Sequence, residues 1–181
     1  FLAELDQRGT VLFIHPTSPD CPCCSKQSPI LPRPFLEFMF ETTRAVTSYI
    51  LSGAAKRYPN IRIIIPHAGA TLPVLADRIV GAAMLLPGLK ASPQDVMDAL
   101  GRFNYDLAGT PVPRQLPALR TFANPDRILF GSDWPFTPMP AVSFGMQRLD
   151  AFLAAEPDFL EAIERKNALN LFPKFATEAE I

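Results

Sequence analysis

Ile128-Leu-Phe-Gly-Ser-Asp-Trp-Pro-Phe136 decides how this chain is read. An apolar run suited to a buried strand stops at Gly131. Asp133 follows at once, and Trp134 and Phe136 stand on either side of Pro135. A carboxylate at the mouth of a buried strand is costly unless a metal ion, an arginine or a substrate meets it. The same pattern occurs twice upstream. Thr10-Val-Leu-Phe-Ile14 runs into His15-Pro16, and Ile61-Arg-Ile-Ile-Ile65 runs into Pro66-His67. Short, continuous, partly β-branched apolar runs of this kind belong to strands buried on both faces, as in parallel sheets.

Between these runs the apolar spacing is helical. Phe1, Leu2 and Leu5 suit the last turns of an amphipathic helix stopped by Gly9, with further residues expected upstream. Residues 35–57 are expected as one helix opened by Pro34, carrying Phe35, Phe38, Met39, Val46, Ile50 and Ala54 to a core and ended by Tyr58-Pro59. Another starts near Leu72-Pro73. Ser92-Pro93-Gln94-Asp95 opens the next, with serine as N-cap, proline at the first position and an acid in the first turn. Phe103-Asn-Tyr-Asp-Leu107 is a weaker third strand, and Arg127-Ile-Leu-Phe130 the fourth. A proline-interrupted helical segment covers 114–123. Two more helices, about 140–155 and 157–171, close the pattern before a polar tail at 176–181. A Pro/Ser/Cys-rich stretch at 16–34 has no hydrophobic period and reads as an inserted loop.

Strand–helix repetition with buried strands means α/β with a parallel sheet. No glycine-rich phosphate loop follows a strand, which counts against a dinucleotide fold. Repeated βα units favour a (β/α)8 TIM barrel. A complete one takes about 250 residues and eight strands, so four strands in residues 1–175 read as its C-terminal half.

Composition narrows the function. The chain has 181 residues, 48% hydrophobic and 19% charged, with a formal net charge of −1. With no long run of one sign, it is not built to bind nucleic acid or a membrane surface. No apolar run reaches the length of a membrane span, and no targeting peptide is visible. Three cysteines, Cys21, Cys23 and Cys24, crowd one loop without a histidine. They read as free thiols in a reducing, cytoplasmic setting.

The sequence holds two histidines, His15 and His67. Each lies just past the C-terminal end of an expected strand, as does Asp133. In a (β/α) barrel those ends converge on the face where active sites are built. Imidazole and carboxylate are ligands for Zn²⁺ and related divalent ions. Asp106, Glu41 and Tyr105 also lie near element ends and are read as structural.

His15-Pro16, Glu41-Thr42, the segment from Arg57 to Ala70 with its Pro66-His67-Ala-Gly69, Leu72-Pro73, Asp77-Arg78-Ile79, Gly131-Ser-Asp-Trp-Pro-Phe136 and Asn167-Ala-Leu-Asn-Leu-Phe172 occur in that order along nearly the whole chain. Together they resemble the amidohydrolase superfamily, in the branch of aminocarboxymuconate-semialdehyde decarboxylase and its relatives. In appearance they are nearest to the 6-methylsalicylate and γ-resorcylate decarboxylases. The resemblance implies a metal-dependent, non-oxidative decarboxylase of an ortho-hydroxybenzoate, with Zn or Mn as cofactor. It also implies a small aromatic carboxylic acid as substrate and a homodimer or higher homo-oligomer. His15 and Asp133 match metal ligands, and His67 and Asp133 match catalytic residues. Arg78 matches an arginine that holds a substrate carboxylate in the neighbouring subunit's site, and Trp134 and Phe136 match pocket walls.

One departure stands out. The family's first two ligands form a His-x-His motif on the first barrel strand, and this sequence has none. The expectation is therefore a truncated form of the enzyme. A hydrolase of the same superfamily, such as a lactonase, or an inactive fragment is the alternative.

Overall fold

The computed structural model describes residues 1–18 and 31–176, so the cysteines and most of the 16–34 loop lie outside the described residues. Four strands form one parallel sheet in the order β1-β2-β3-β4: β1 (Val11–Phe13), β2 (Arg62–Ile65), β3 (Asn104–Asp106) and β4 (Ile128–Leu129). Each strand sits beside the next in the chain, with helical crossovers between, which is the connectivity of a (β/α) barrel segment.

Strand register separates two layers. Leu12 pairs with Ile63, Ile65 with Tyr105, and Tyr105 with Ile128. These residues join the main core under the helices, with Ile63, Ile65, Tyr105 and Ile128 all buried and Leu12 packed against them. Alternate residues point to the other face, as the period of two demands. There Ile64, Leu129 and Leu171 form a second, small cluster with Val11, Ala168 and Phe172 packed on it. That face is the barrel's inside. The Arg62 guanidinium fastens its lower end, donating to the Gly9 carbonyl (2.9 Å) and to the Leu171 carbonyl (3.0 Å).

The helices that carry the outer layer are α1 (Leu2–Gln7), α2 (Glu37–Leu51), α3 (Ala54–Arg57), α4 (Leu72–Leu85), α5 (Pro93–Arg102), α6 (Gln115–Leu119) and α7 (Met139–Phe152). The single helix expected over 35–57 is two helices. Gly53 breaks it at φ 75°, with Lys90 so close that a Cβ would sit 3.0 Å from its carbonyl oxygen. The break shifts the register, so Ala55 and not Ala54 is buried, and Phe35, in a 3₁₀ turn before α2, is 71% exposed. The expected 157–171 helix is α8 (Pro157–Glu161), a π-helical turn over Ala162–Lys166, and α9 (Asn167–Leu171). Asn167 is buried there and donates to the carbonyls of Pro125 and Ile128, holding this segment to the start of β4.

The start of α5 forms as its sequence requires. Ser92 Oγ accepts from the Asp95 N–H while the Asp95 carboxylate accepts from the Ser92 N–H, a reciprocal capping box. Among the described residues no helix is long and apolar enough to cross a membrane.

Candidate active site

The C-terminal ends of the strands carry the candidate residues. His15 follows β1 and is exposed. Its Nδ1–H donates to the Pro16 carbonyl oxygen (3.0 Å), which leaves Nε2 as the ring nitrogen not used in that bond. Phe136, beyond β4, lays its ring against His15 with centroids 5.5 Å apart. β1 and β4 are opposite edges of the sheet, so the loops that follow them meet across its C-terminal side.

Beyond β2 the chain turns through a 3₁₀ turn, His67–Gly69, in which His67 (φ 56°), Ala68 (φ 50°), Gly69 (φ 80°) and Ala70 (φ 56°) all have positive φ. For a non-glycine residue this region costs on the order of 1–3 kcal/mol, and it persists where the surroundings over-determine it. Three groups do so here. Asp106 Oδ1 accepts from the His67 N–H (3.0 Å), and Gln115 Nε2 donates to the carbonyls of His67 (2.6 Å) and Ala70 (2.9 Å). Tyr105 lies against Gly69 so closely that a Cβ there would meet its ring at 3.2 Å. The His67 Nδ1 is buried without a hydrogen-bond partner. Such an atom costs about 1–3 kcal/mol unless a bound group satisfies it.

Asp133 repeats the device beyond β4, with φ 59°. Its carboxylate accepts from the Thr137 hydroxyl (2.9 Å) and its carbonyl from the Thr137 N–H (2.8 Å), closing the turn that leads to α7. Trp134 (62% exposed) and Phe136 (77% exposed) stand out from this turn.

Asp106, read from sequence as structural, lies at the centre of the group. It ends β3, is 5% exposed, and uses one oxygen to accept from both His67 and Ala108 N–H, each at 3.0 Å. Burial pushes its carboxyl pKa up. The two N–H donors and the His67 imidazole oppose that rise, and the Asp133 charge adds to it. The signal in the sequence was the alternation Asn104-Tyr105-Asp106, which puts both polar residues on the inner face of a buried strand. Gln115, at the start of α6, had no such signal.

The structure thus brings His15, His67, Asp133 and Phe136 to one end of the sheet. Arg78 is not among them. It is exposed on α4, beside a groove between α2 and α4 lined by Thr43, Thr47, Leu75 and Ile79. Among the described residues it has no hydrogen-bond or ion-pair partner.

Two imidazoles and a carboxylate are suitable donors for a divalent cation, and the unpartnered His67 Nδ1 is consistent with a bound group beside it. Among the described residues no three His, Cys, Asp or Glu side chains converge on one point. The chain therefore offers part of a donor set.

The family model described as Amidohydrolase matches residues 1–174. The chain belongs to the amidohydrolase family. This amidohydrolase chain is 37% identical over 174 residues to the 6-methylsalicylic acid decarboxylase of Penicillium expansum, covering 95% of this chain and 52% of that protein. It is 34% identical over 187 residues to Decarboxylase yanB of Aspergillus niger, covering 98% and 50%. Among solved structures, a 2,6-dihydroxybenzoate decarboxylase complexed with 2,6-dihydroxybenzoate has a TM-score of 0.80 at 28% identity, over 95% of this chain and 53% of that one. The amidohydrolase chain spans about half the length of the curated relatives it matches, and its four strands are half of the TIM barrel those relatives share.

Proposed function

We propose that this chain supplies the C-terminal strand ends of a metal-dependent, non-oxidative decarboxylase acting on ortho-hydroxybenzoates of the 6-methylsalicylate type. The observation that carries the reading is the meeting of His15 and Phe136 across the two edges of the sheet. That contact supports a shared mouth for the strand ends that carry His15, His67 and Asp133, and relatives at 34–37% identity are decarboxylases.

His15 and Asp133 would hold a divalent cation, Zn or Mn, together with donors from outside this chain. Bound there, the cation supplies Lewis-acid polarisation of the phenol and carboxylate oxygens. The chain's own residues do the rest. Trp134 and Phe136 wall the aromatic ring and exclude water. The Asp133 carboxylate would take the proton of the phenol and pass it to the ring carbon that bears the carboxylate. The C–C bond then breaks, its electron pair returns to the ring, aromaticity is restored and CO₂ leaves. No electron is gained or lost overall. His67, with Nδ1 facing no protein partner, orients the phenol oxygen or passes the proton. Arg78, an unpaired exposed cation remote from its own chain's strand ends, would hold a substrate carboxylate in the site of a neighbouring subunit, which makes the assembly a homo-oligomer.

The test is to express the chain with all in-frame coding sequence that flanks it, load it with Zn²⁺ or Mn²⁺, and supply 6-methylsalicylate, 2,6-dihydroxybenzoate and simple aryl lactones. Release of CO₂ from a hydroxybenzoate is expected. Lactone opening without decarboxylation would overturn the reading in favour of a hydrolase, and turnover of neither class would leave these residues as remnants.

A further inference from the structure

We infer that Asp106 and Gln115 are positioning residues that grip the His67 turn from its two sides and set the direction of the imidazole. The inference builds on the decarboxylase reading in assigning His67 its role, but the grip itself is a property of this chain. Four consecutive residues, His67 to Ala70, have positive φ, and three of them carry a side chain that disfavours it. Local preference would unwind this turn. Asp106 holds the amide end, accepting from the His67 N–H, and Gln115 holds the carbonyl end, donating to both His67 and Ala70. Every one of these bonds is to a backbone atom of the turn, so both residues act through position.

The arrangement of Asp106 shows that its place is tightly set. One oxygen, Oδ1, takes both N–H bonds, and the second N–H, from Ala108, belongs to the loop after β3. On its other side the carboxylate lies against the backbone at Gly131, where a Cβ would come within 2.9 Å of Cβ and Cγ and within 3.0 Å of Oδ1. Asp106 thus stands between the His67 turn and the turn that carries Asp133. A shift in this one side chain is transmitted to both.

The chemistry separates positioning from charge. Asparagine at 106 keeps an acceptor oxygen where Oδ1 stands, so Asp106→Asn should preserve both N–H bonds. Asp106→Ala removes them, and Gln115→Met keeps the length of the side chain but removes its donor. Two measurements decide. The first is amide hydrogen exchange at His67 and Ala108 in the 181-residue chain, which needs no substrate. Asp106→Ala should speed exchange at both amides, Asp106→Asn should leave it within about threefold, and chemical denaturation checks that the fold is kept. The second is turnover of the metal-loaded protein. Asp106→Ala and Gln115→Met should lower kcat by about 10–100-fold, the range seen when outer partners of an active histidine are lost, with KM nearly unchanged. Asp106→Asn should recover most of it.

If Asp106→Asn is as slow as Asp106→Ala while protecting both amides, the charge matters and the positioning role is wrong. Unchanged exchange in Asp106→Ala also overturns the inference. If no variant, nor the parent, turns over a hydroxybenzoate, the decarboxylase reading fails, and the exchange data still decide whether the grip exists.

Discussion

Gly131 and Asp106 are in contact in a way that leaves no room for a side chain on Gly131: a Cβ there would lie 2.9 Å from Asp106 Cβ and Cγ. Under 3.0 Å something must move, and the nearest atoms are held by hydrogen bonds to His67 and Ala108. Gly131→Ala should therefore destabilise the chain by about 1–3 kcal/mol, as overpacking does. It should lower turnover by more than that loss of stability explains. Urea denaturation paired with an activity assay tests both; a variant with normal turnover would show that Asp106 can move freely.

His15→Ala and Asp133→Asn should each weaken divalent-metal binding by at least about tenfold, since lost ligands do no less harm than lost outer partners. Calorimetric titration with Zn²⁺ or Mn²⁺ reads this directly. Chelation should abolish CO₂ release, and added metal should restore it. His67→Ala, by contrast, should bind metal nearly as well as the parent while turning over slowly. Equal metal loss in all three variants would mean that His67 is a ligand as well.

Asp95 gives a pH signature far from the site. The Ser92 N–H, the Lys56 ammonium and the Ser92 hydroxyl hold its carboxyl at about 2, below the ordinary 3.8. A folded-state pKa that is depressed stabilises the fold above the unfolded value and loses that contribution as pH falls through the folded one. The Tm gap between the parent and Asp95→Asn should be constant above about pH 5, shrink below about pH 4 and close only below about pH 2. A gap that persists well below about pH 2 would trace to packing instead. Ser92→Ala, which removes the cap itself, should cost about 1 kcal/mol.

Tyr105 is fully buried, and its hydroxyl donates to the Leu100 carbonyl at 2.6 Å. Tyr105→Phe keeps the ring that packs on Gly69 and deletes that bond. A loss of about 1–2 kcal/mol is expected from equilibrium denaturation, with the fold unchanged by circular dichroism.

The sequence showed most clearly what burial dictates. Ile61–Ile65 reads as a strand because four isoleucines in five residues have few other places to go, and the structure puts His67 and Asp133 beyond the ends of such runs. Residues 35–57 read as one helix because helical spacing continues across Ser52-Gly53. The break is set by Lys90, a distant residue that leaves no space for a Cβ at Gly53. Asp106 is structural, as expected, but what it holds is hidden from the sequence for a related reason. Its partners are backbone N–H groups of His67 and Ala108, and main-chain donors leave no mark in side-chain patterns. The meeting of Phe136 and His15 depends on contacts across the whole sheet, beyond what any single stretch records.

The small cluster inside the sheet has a consequence for how the protein is made. Ile64 and Leu129 are covered by Leu171, and Arg62 bonds to the Leu171 carbonyl across 109 residues of sequence. Contacts so distant along the chain form slowly. During synthesis the inward side of β2 stays bare until α9 has left the ribosome, a window in which a chaperone or a stray strand can bind it. A premature stop codon before Leu171 should therefore yield an aggregating polypeptide even though every strand-end residue of the candidate site had already been translated.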